Sequence, residues 1–67
     1  MKFEEAMKAM RNGDPVRRKG QEHFYFLNKR NRIVKAEAYW GTVFEYRGSV
    51  KFSNRDICAE DWEVVTE

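Results

Sequence analysis

Sixty-seven residues, about 8 kDa, make a single small domain over 1–67, and a domain of about 60 residues buries only about 60% of its unfolded surface. Charged residues are 36% of the chain and hydrophobic ones 42%, and the 15% aromatic share excludes a disordered segment, which would lack aromatics. Net charge is only +2, no apolar run approaches the roughly 20 residues of a membrane span, and Cys58, the sole cysteine, leaves the fold without a disulfide staple.

Phe3, Ala6, Met7 and Met10 recur at helical spacing, which predicts an amphipathic helix over 3–11 with the methionines in the core. Asn12-Gly13 reads as its C-cap, and Asp14-Pro15 prevents it from resuming. Val16 to Lys19 reads as a first strand ended by Gly20, and His23 to Leu27 as a second. After the polar turn 28–32, Ile33 to Trp40 alternates, with Val34, Ala36, Ala38 and Trp40 on one face and Lys35, Glu37 and Tyr39 on the other. This strand is expected to pair with 23–27 as a hairpin. Gly41 marks a bulge or turn, Thr42 to Arg47 reads as a strand, and Val50 to Phe52 as a short one. Ser53 with Asp56 three residues on resembles a capping box for one helical turn through Ala59, and Trp62 to Val65 closes the chain as a strand. Trp62 is expected in the core with Val64 and Ile57. The fold class is α+β: a short N-terminal helix packed on a twisted antiparallel sheet of about four to five strands, with one short helical turn before the last strand.

Few groups here suit catalysis, which needs several groups converging in a pocket. His23 is alone and reads as a surface or strand-edge histidine. Cys58 stands among Asp56, Glu60 and Asp61, acids that raise a thiol pKa, and reads as a buried, inert cysteine. Glu60, Asp61 and Glu63 read as a solvated acidic edge, so no metal, cofactor or enzymatic activity is expected. The charge distribution says more. Seven bases, Arg17, Arg18, Lys19, Lys29, Arg30, Arg32 and Lys35, lie between 17 and 35 with Glu22 the only acid, whereas 56–67 holds five acids and no base. A basic hairpin bearing Phe24, Tyr25 and Phe26 suits phosphates and bases; the plainer alternative leaves the turn solvated and puts Phe24 and Phe26 in the core. The two-sided charge, a basic edge and an acidic one, together with small size and the lack of staples, favours a homo-oligomer.

Two segments carry a resemblance. Phe3-Glu4-Glu5-Ala6-Met7-Lys8-Ala9-Met10-Arg11-Asn12-Gly13 followed by Val16-Arg17-Arg18-Lys19-Gly20, and the closing Phe52-Ser53-Asn54-Arg55-Asp56-Ile57-Cys58-Ala59-Glu60-Asp61-Trp62-Glu63-Val64-Val65, are similar to small phage proteins of the Thoeris anti-defence type. The resemblance implies an oligomeric α+β domain that sequesters a cyclic ADP-ribose-type immune signal between subunits, without chemistry, in the host cytosol. Arg17, Arg18, Lys19, Tyr25, Tyr39 and Asp61 are then the expected ligand-binding residues. Gln21 stands where that family commonly has tryptophan. Two other readings stay open: a small inhibitor binding a host or defence protein directly, and a nucleic-acid-binding module using the 17–35 bases. None of the three involves a membrane.

Overall fold

The apolar stripe of the first helix has its counterpart in α1, Phe3–Arg11, which buries Ala6 and Met10 and half-buries Met7 against the core. The structure, a computed structural model, describes residues 1–66. Past the helix end, Gly13 takes φ +94°, and the amides of Gly13 and Asp14 reach back to the carbonyls of Met10 and Ala9, both at 3.0 Å. These paired bonds satisfy carbonyls that would otherwise lack partners at the helix end, and they need the left-handed backbone that glycine adopts without strain.

Five strands follow: β1 Val16–Arg18, β2 Phe24–Leu27, β3 Ile33–Tyr39, β4 Thr42–Glu45 and β5 Trp62–Val64, with the five-residue helix α2, Asn54–Cys58, before the last. They form one antiparallel sheet in the order β4-β3-β2-β1-β5. The architecture is α+β as expected, with α1 on one face of the sheet and α2 against α1. Ser53 caps α2: its Oγ accepts the Asp56 N–H at 3.3 Å, and its own N–H donates to the Asp56 carboxylate at 3.1 Å.

Three details depart from the pattern read along the chain. Residues 50–52 form no strand; they run across the helix-bearing face, where Phe52 meets the rings of Phe3, Tyr25 and Trp62 at centroid distances of 5.2, 4.9 and 5.7 Å. Thr42 to Arg47 shortens to β4, and Trp40 leaves β3 to form, with Gly41, a two-residue turn in which both have positive φ, 55° and 78°. Cys58 is exposed rather than buried, and Ile57 is 48% exposed rather than in the core, because α2 packs on α1 only along its other side.

The core is Ala6, Met10, Val16, Tyr25 and Trp62. Register explains why Tyr25, and not Phe24 or Phe26, belongs to it. Val16 pairs with both Tyr25 and Val64, so these three share the face under α1. Phe24 and Phe26 point to the opposite face, and neither is among the residues packed on the core. The polarity of β3 is thereby inverted: Lys35, Glu37 and Tyr39 share the face with α1, whereas Val34, Ala36 and Ala38 point away from it.

Candidate functional site

Two polar clusters share the helix-bearing face, and Tyr25 lies between them. In the first, Arg18 at the end of β1 grips Asp61, Nε to Oδ1 at 2.9 Å and the second guanidinium nitrogen to Oδ2 at 3.4 Å, while Nη1 reaches Asp56 Oδ1 at 3.2 Å. The Lys19 amide donates to the Asp61 carbonyl at 2.8 Å, which fixes this acid beside the arginine. Hydrogen bonds to Asp61 and then Asp56 raise the Arg18 pKa. Arg18 in turn holds the Asp61 carboxyl below its ordinary value. Partial burial pushes Asp56 up, but the bonds from Ser53 and then Arg18 outweigh it, and the net direction is down. Burial, followed by the Asp56 charge, raises the Tyr25 phenol.

The second cluster lies beyond the reach of α1. Glu37 on β3 accepts a 2.5 Å hydrogen bond from the Tyr39 hydroxyl. That bond, and more weakly the Tyr46 hydroxyl, holds the Glu37 carboxyl below its ordinary value. The same bond pushes the Tyr39 phenol up to about 12. The Tyr46 amide donates to the Lys35 carbonyl at 2.8 Å, extending the β3–β4 ladder, and the Lys35 ammonium lies 4.8 Å over the Tyr46 ring. His23 meets Tyr25 edge-on at 5.5 Å; desolvation, then Lys35, lowers its pKa. Glu37→Gln replaces the carboxylate with a neutral amide, so the Tyr39 and Tyr46 phenols are expected to titrate at lower pH. Absorbance near 295 nm followed against pH reads this directly, and a titration that does not move overturns the assignment.

Tyr25, Lys35 and Tyr46, with residues 47–51 after β4, enclose an open pocket of about 350 Å³ whose cations are Lys35, Arg47 and Lys51. None of these three is ion-paired among the described residues, whereas Arg17 and Arg18 both are. The six residues expected from the sequence are thus split. Arg18 and Asp61 are in contact, and Tyr25 lines the pocket. Tyr39 lies in the Glu37 cluster at the end of the hairpin. Arg17 is on the opposite face, 3.8 Å from Glu63, and Lys19 is exposed just past β1. Glu67, the last of the five C-terminal acids, lies outside the described residues. Tyr46, Arg47 and Lys51 were missed because what joins them is the sheet register. The signal available was the Trp40-Gly41 turn: a two-residue loop there fixes which residue faces Lys35 and Glu37.

Among the described residues, no group of three or more histidines, cysteines and acids converges as a metal site, and no helix is long and apolar enough to cross a membrane. These features define a small two-layer α+β domain with polar and aromatic side chains gathered on one end of an open sheet. A model of the Thoeris anti-defense 2-like domain family matches residues 1–65, and the chain belongs to that family. It is an anti-defence domain of the phage type. No curated protein matches the chain.

Proposed function

We propose that this chain is a non-enzymatic counter-defence protein acting in the host cytosol, where it sequesters a nucleotide-like immune signal of the cyclic ADP-ribose type and so starves a defence effector of its activator. The observation that carries this reading is the pocket in which three cations that make no ion pair among the described residues, Lys35, Arg47 and Lys51, stand beside the rings of Tyr25 and Tyr46. Cations suit a diphosphate, and an aromatic face suits adenine. The pocket is open, and Tyr39, Phe44 and Tyr46 are exposed at its hairpin side; contact with another subunit there excludes water from the ligand. Titration calorimetry of the purified protein with a cyclic ADP-ribose isomer is expected to give saturable binding, with the ligand recovered unaltered. The triple variant Lys35→Ala, Arg47→Ala, Lys51→Ala is expected to keep its fold and lose about tenfold or more in affinity, since one charge-assisted hydrogen bond contributes about 1.5–3 kcal/mol. Equal binding by the variant sinks the reading.

One feature favours direct binding to a host or defence protein as a second reading. Trp40 is fully exposed and holds φ 55°, a conformation costly for a bulky residue. A tryptophan presented in this way suits an anchor for a protein pocket. Trp40→Ala separates the two readings: it abolishes capture of a protein partner and leaves nucleotide binding intact.

A further inference from the structure

The fold sorts charge along the strands. β2 runs into the turn 28–32 and β3 runs out of it, and the pairing of Ala36 with Glu45 brings the start of β3 beside the end of β4. Segment 46–51 therefore emerges at the same end of the sheet as the turn, fixed there by the bond from the Tyr46 amide to the Lys35 carbonyl. Lys29, Arg30 and Arg32 in the turn gather at this end with the pocket cations Lys35, Arg47 and Lys51. None of them makes an ion pair among the described residues.

The acids that could answer these bases are elsewhere or occupied. Asp56 and Asp61 are gripped by Arg18 at the far end of β1, Glu22 precedes β2 at that same far end, and Glu37 holds the Tyr39 hydroxyl. The seven residues of β3 span about 20 Å, more than twice the Debye length of about 8 Å at physiological salt. The far acids therefore leave the basic end unneutralised. Asp14 before β1 and Glu45 lie nearer, but Glu45 pairs with Ala36 and so points to the sheet face opposite Lys35 and Tyr46.

The turn is held in a form that presents its bases. Asn28 Oδ1 accepts the amides of Arg30 and Arg32 at 2.9 and 3.0 Å, and the Asn28 amide donates to the Arg32 carbonyl at 2.9 Å. Only the main chain of 29–32 enters these bonds, so the three basic side chains stay exposed. Tyr46, 47% exposed, sets an aromatic ring beside the cations, with the Lys35 ammonium 4.8 Å over it.

We propose that this basic end binds a single-stranded nucleic acid, with phosphates tracking from the turn 28–32 to the pocket cations and one base stacked on Tyr46. Cations that follow a backbone, with an aromatic ring to take a base, are what such binding requires. A duplex keeps its bases paired and away from the ring, and an acidic protein segment meets the cations but has no flat face to lay on it. The strand shares Lys35, Arg47 and Lys51 with the signal nucleotide of the pocket reading; the turn bases belong to the strand alone.

Fluorescence anisotropy with labelled oligothymidylate and oligouridylate of about 12 nucleotides tests this, with circular dichroism to verify folding. Saturable binding is expected at about 50 mM salt, falling steeply by about 200 mM, since each phosphate contact to a single strand adds about 0.7 to the salt slope. The double variant Arg30→Gln, Arg32→Gln keeps every main-chain bond of the turn. It is expected to stay folded, to reduce that slope by about 1.4 and to lose tenfold or more in affinity. Tyr46→Leu is expected to weaken binding about fivefold or more with the slope unchanged. Binding of both oligonucleotides supports stacking without recognition of the sugar; preference for one supports the proposal and identifies the sugar. No saturable binding of either, or a double variant equal to wild type in affinity and slope, overturns the proposal. So does polyglutamate that competes as well as unlabelled oligothymidylate. The double variant is expected to keep its affinity for cyclic ADP-ribose, because neither turn base lines the pocket. A wild type that binds the oligonucleotides but not cyclic ADP-ribose counts against the pocket reading alone.

Discussion

Trp62→Ala is expected to unfold the chain or to destabilise it severely. The indole is 2% exposed and meets Phe3, Phe52 and Tyr25 at centroid distances of 5.7, 5.7 and 5.8 Å, so its rings tie α1, the 50–52 crossing segment and β2 to β5. Its Nε1 donates to the Asp56 carbonyl at 2.9 Å, which also anchors α2. Truncating a buried tryptophan typically costs about 3–5 kcal/mol. At roughly 0.05–0.15 kcal/mol per residue, a domain of this length has a total of about 3–10 kcal/mol. The loss therefore takes between about a third of the stability and all of it. Trp62→Phe keeps a ring in the cluster but leaves the Asp56 carbonyl without its donor, so a smaller loss is expected, about 1–3 kcal/mol. Urea denaturation followed by far-ultraviolet circular dichroism measures both. An unchanged midpoint for Trp62→Ala would remove the indole from the core and make it a binding residue instead.

Trp62 was legible as a core residue because its strand is short and amphipathic, and the helix over 3–11 was legible because its apolar spacing and its Asn-Gly terminus agree. The capping box at Ser53 was legible for the same reason: its chemistry is local. What sequence could not supply was anything decided by register. The alternation of β3 is plain along the chain, but whether the alanine face or the Lys35–Glu37–Tyr39 face lies under α1 depends on Tyr25 being paired with Lys35. The ordinary expectation, apolar side inward, is reversed here. Phe24 and Phe26 go with the alanines for the same reason, and the ligand-binding residues expected from the sequence divide between faces and ends of the sheet. Cys58 and Ile57 were assigned to the interior from their apolar character, but a five-residue helix resting on another helix hides only one side of itself. The basic and acidic segments meet because β5 lies beside β1, which sets Arg17 against Glu63 and Arg18 against Asp61.

Arg18→Glu is expected to lower the melting temperature by several degrees and to invert the response of stability to acid. In the wild type, Asp56 and Asp61 both titrate below their ordinary values, with Arg18 contributing to each. Their folded-state values lie below the unfolded carboxylate value of about 3.9. Their contribution is therefore fully present above that value and is lost as pH falls through the folded ones. Arg18→Glu removes the shared cation and sets a third carboxylate against two that Ser53 and the Lys19 amide hold in position. Like charges at that distance favour protonation and move the folded values upward. The penalty relative to wild type is then largest near neutrality and shrinks as pH falls, because protonation relieves the repulsion. Adding Asp61→Arg to this background reverses the main pair and is expected to recover part of the loss at pH 7, incompletely because Asp56 stays where it is. Melting curves of the three proteins between pH 3 and 7 read all of this. Equal melting temperatures at pH 7, or a double variant no better than the single, would show that Arg18 is not held by these acids. In that case its guanidinium is free for a phosphate, and loss of nucleotide binding in a stable Arg18→Ala variant becomes the expected result.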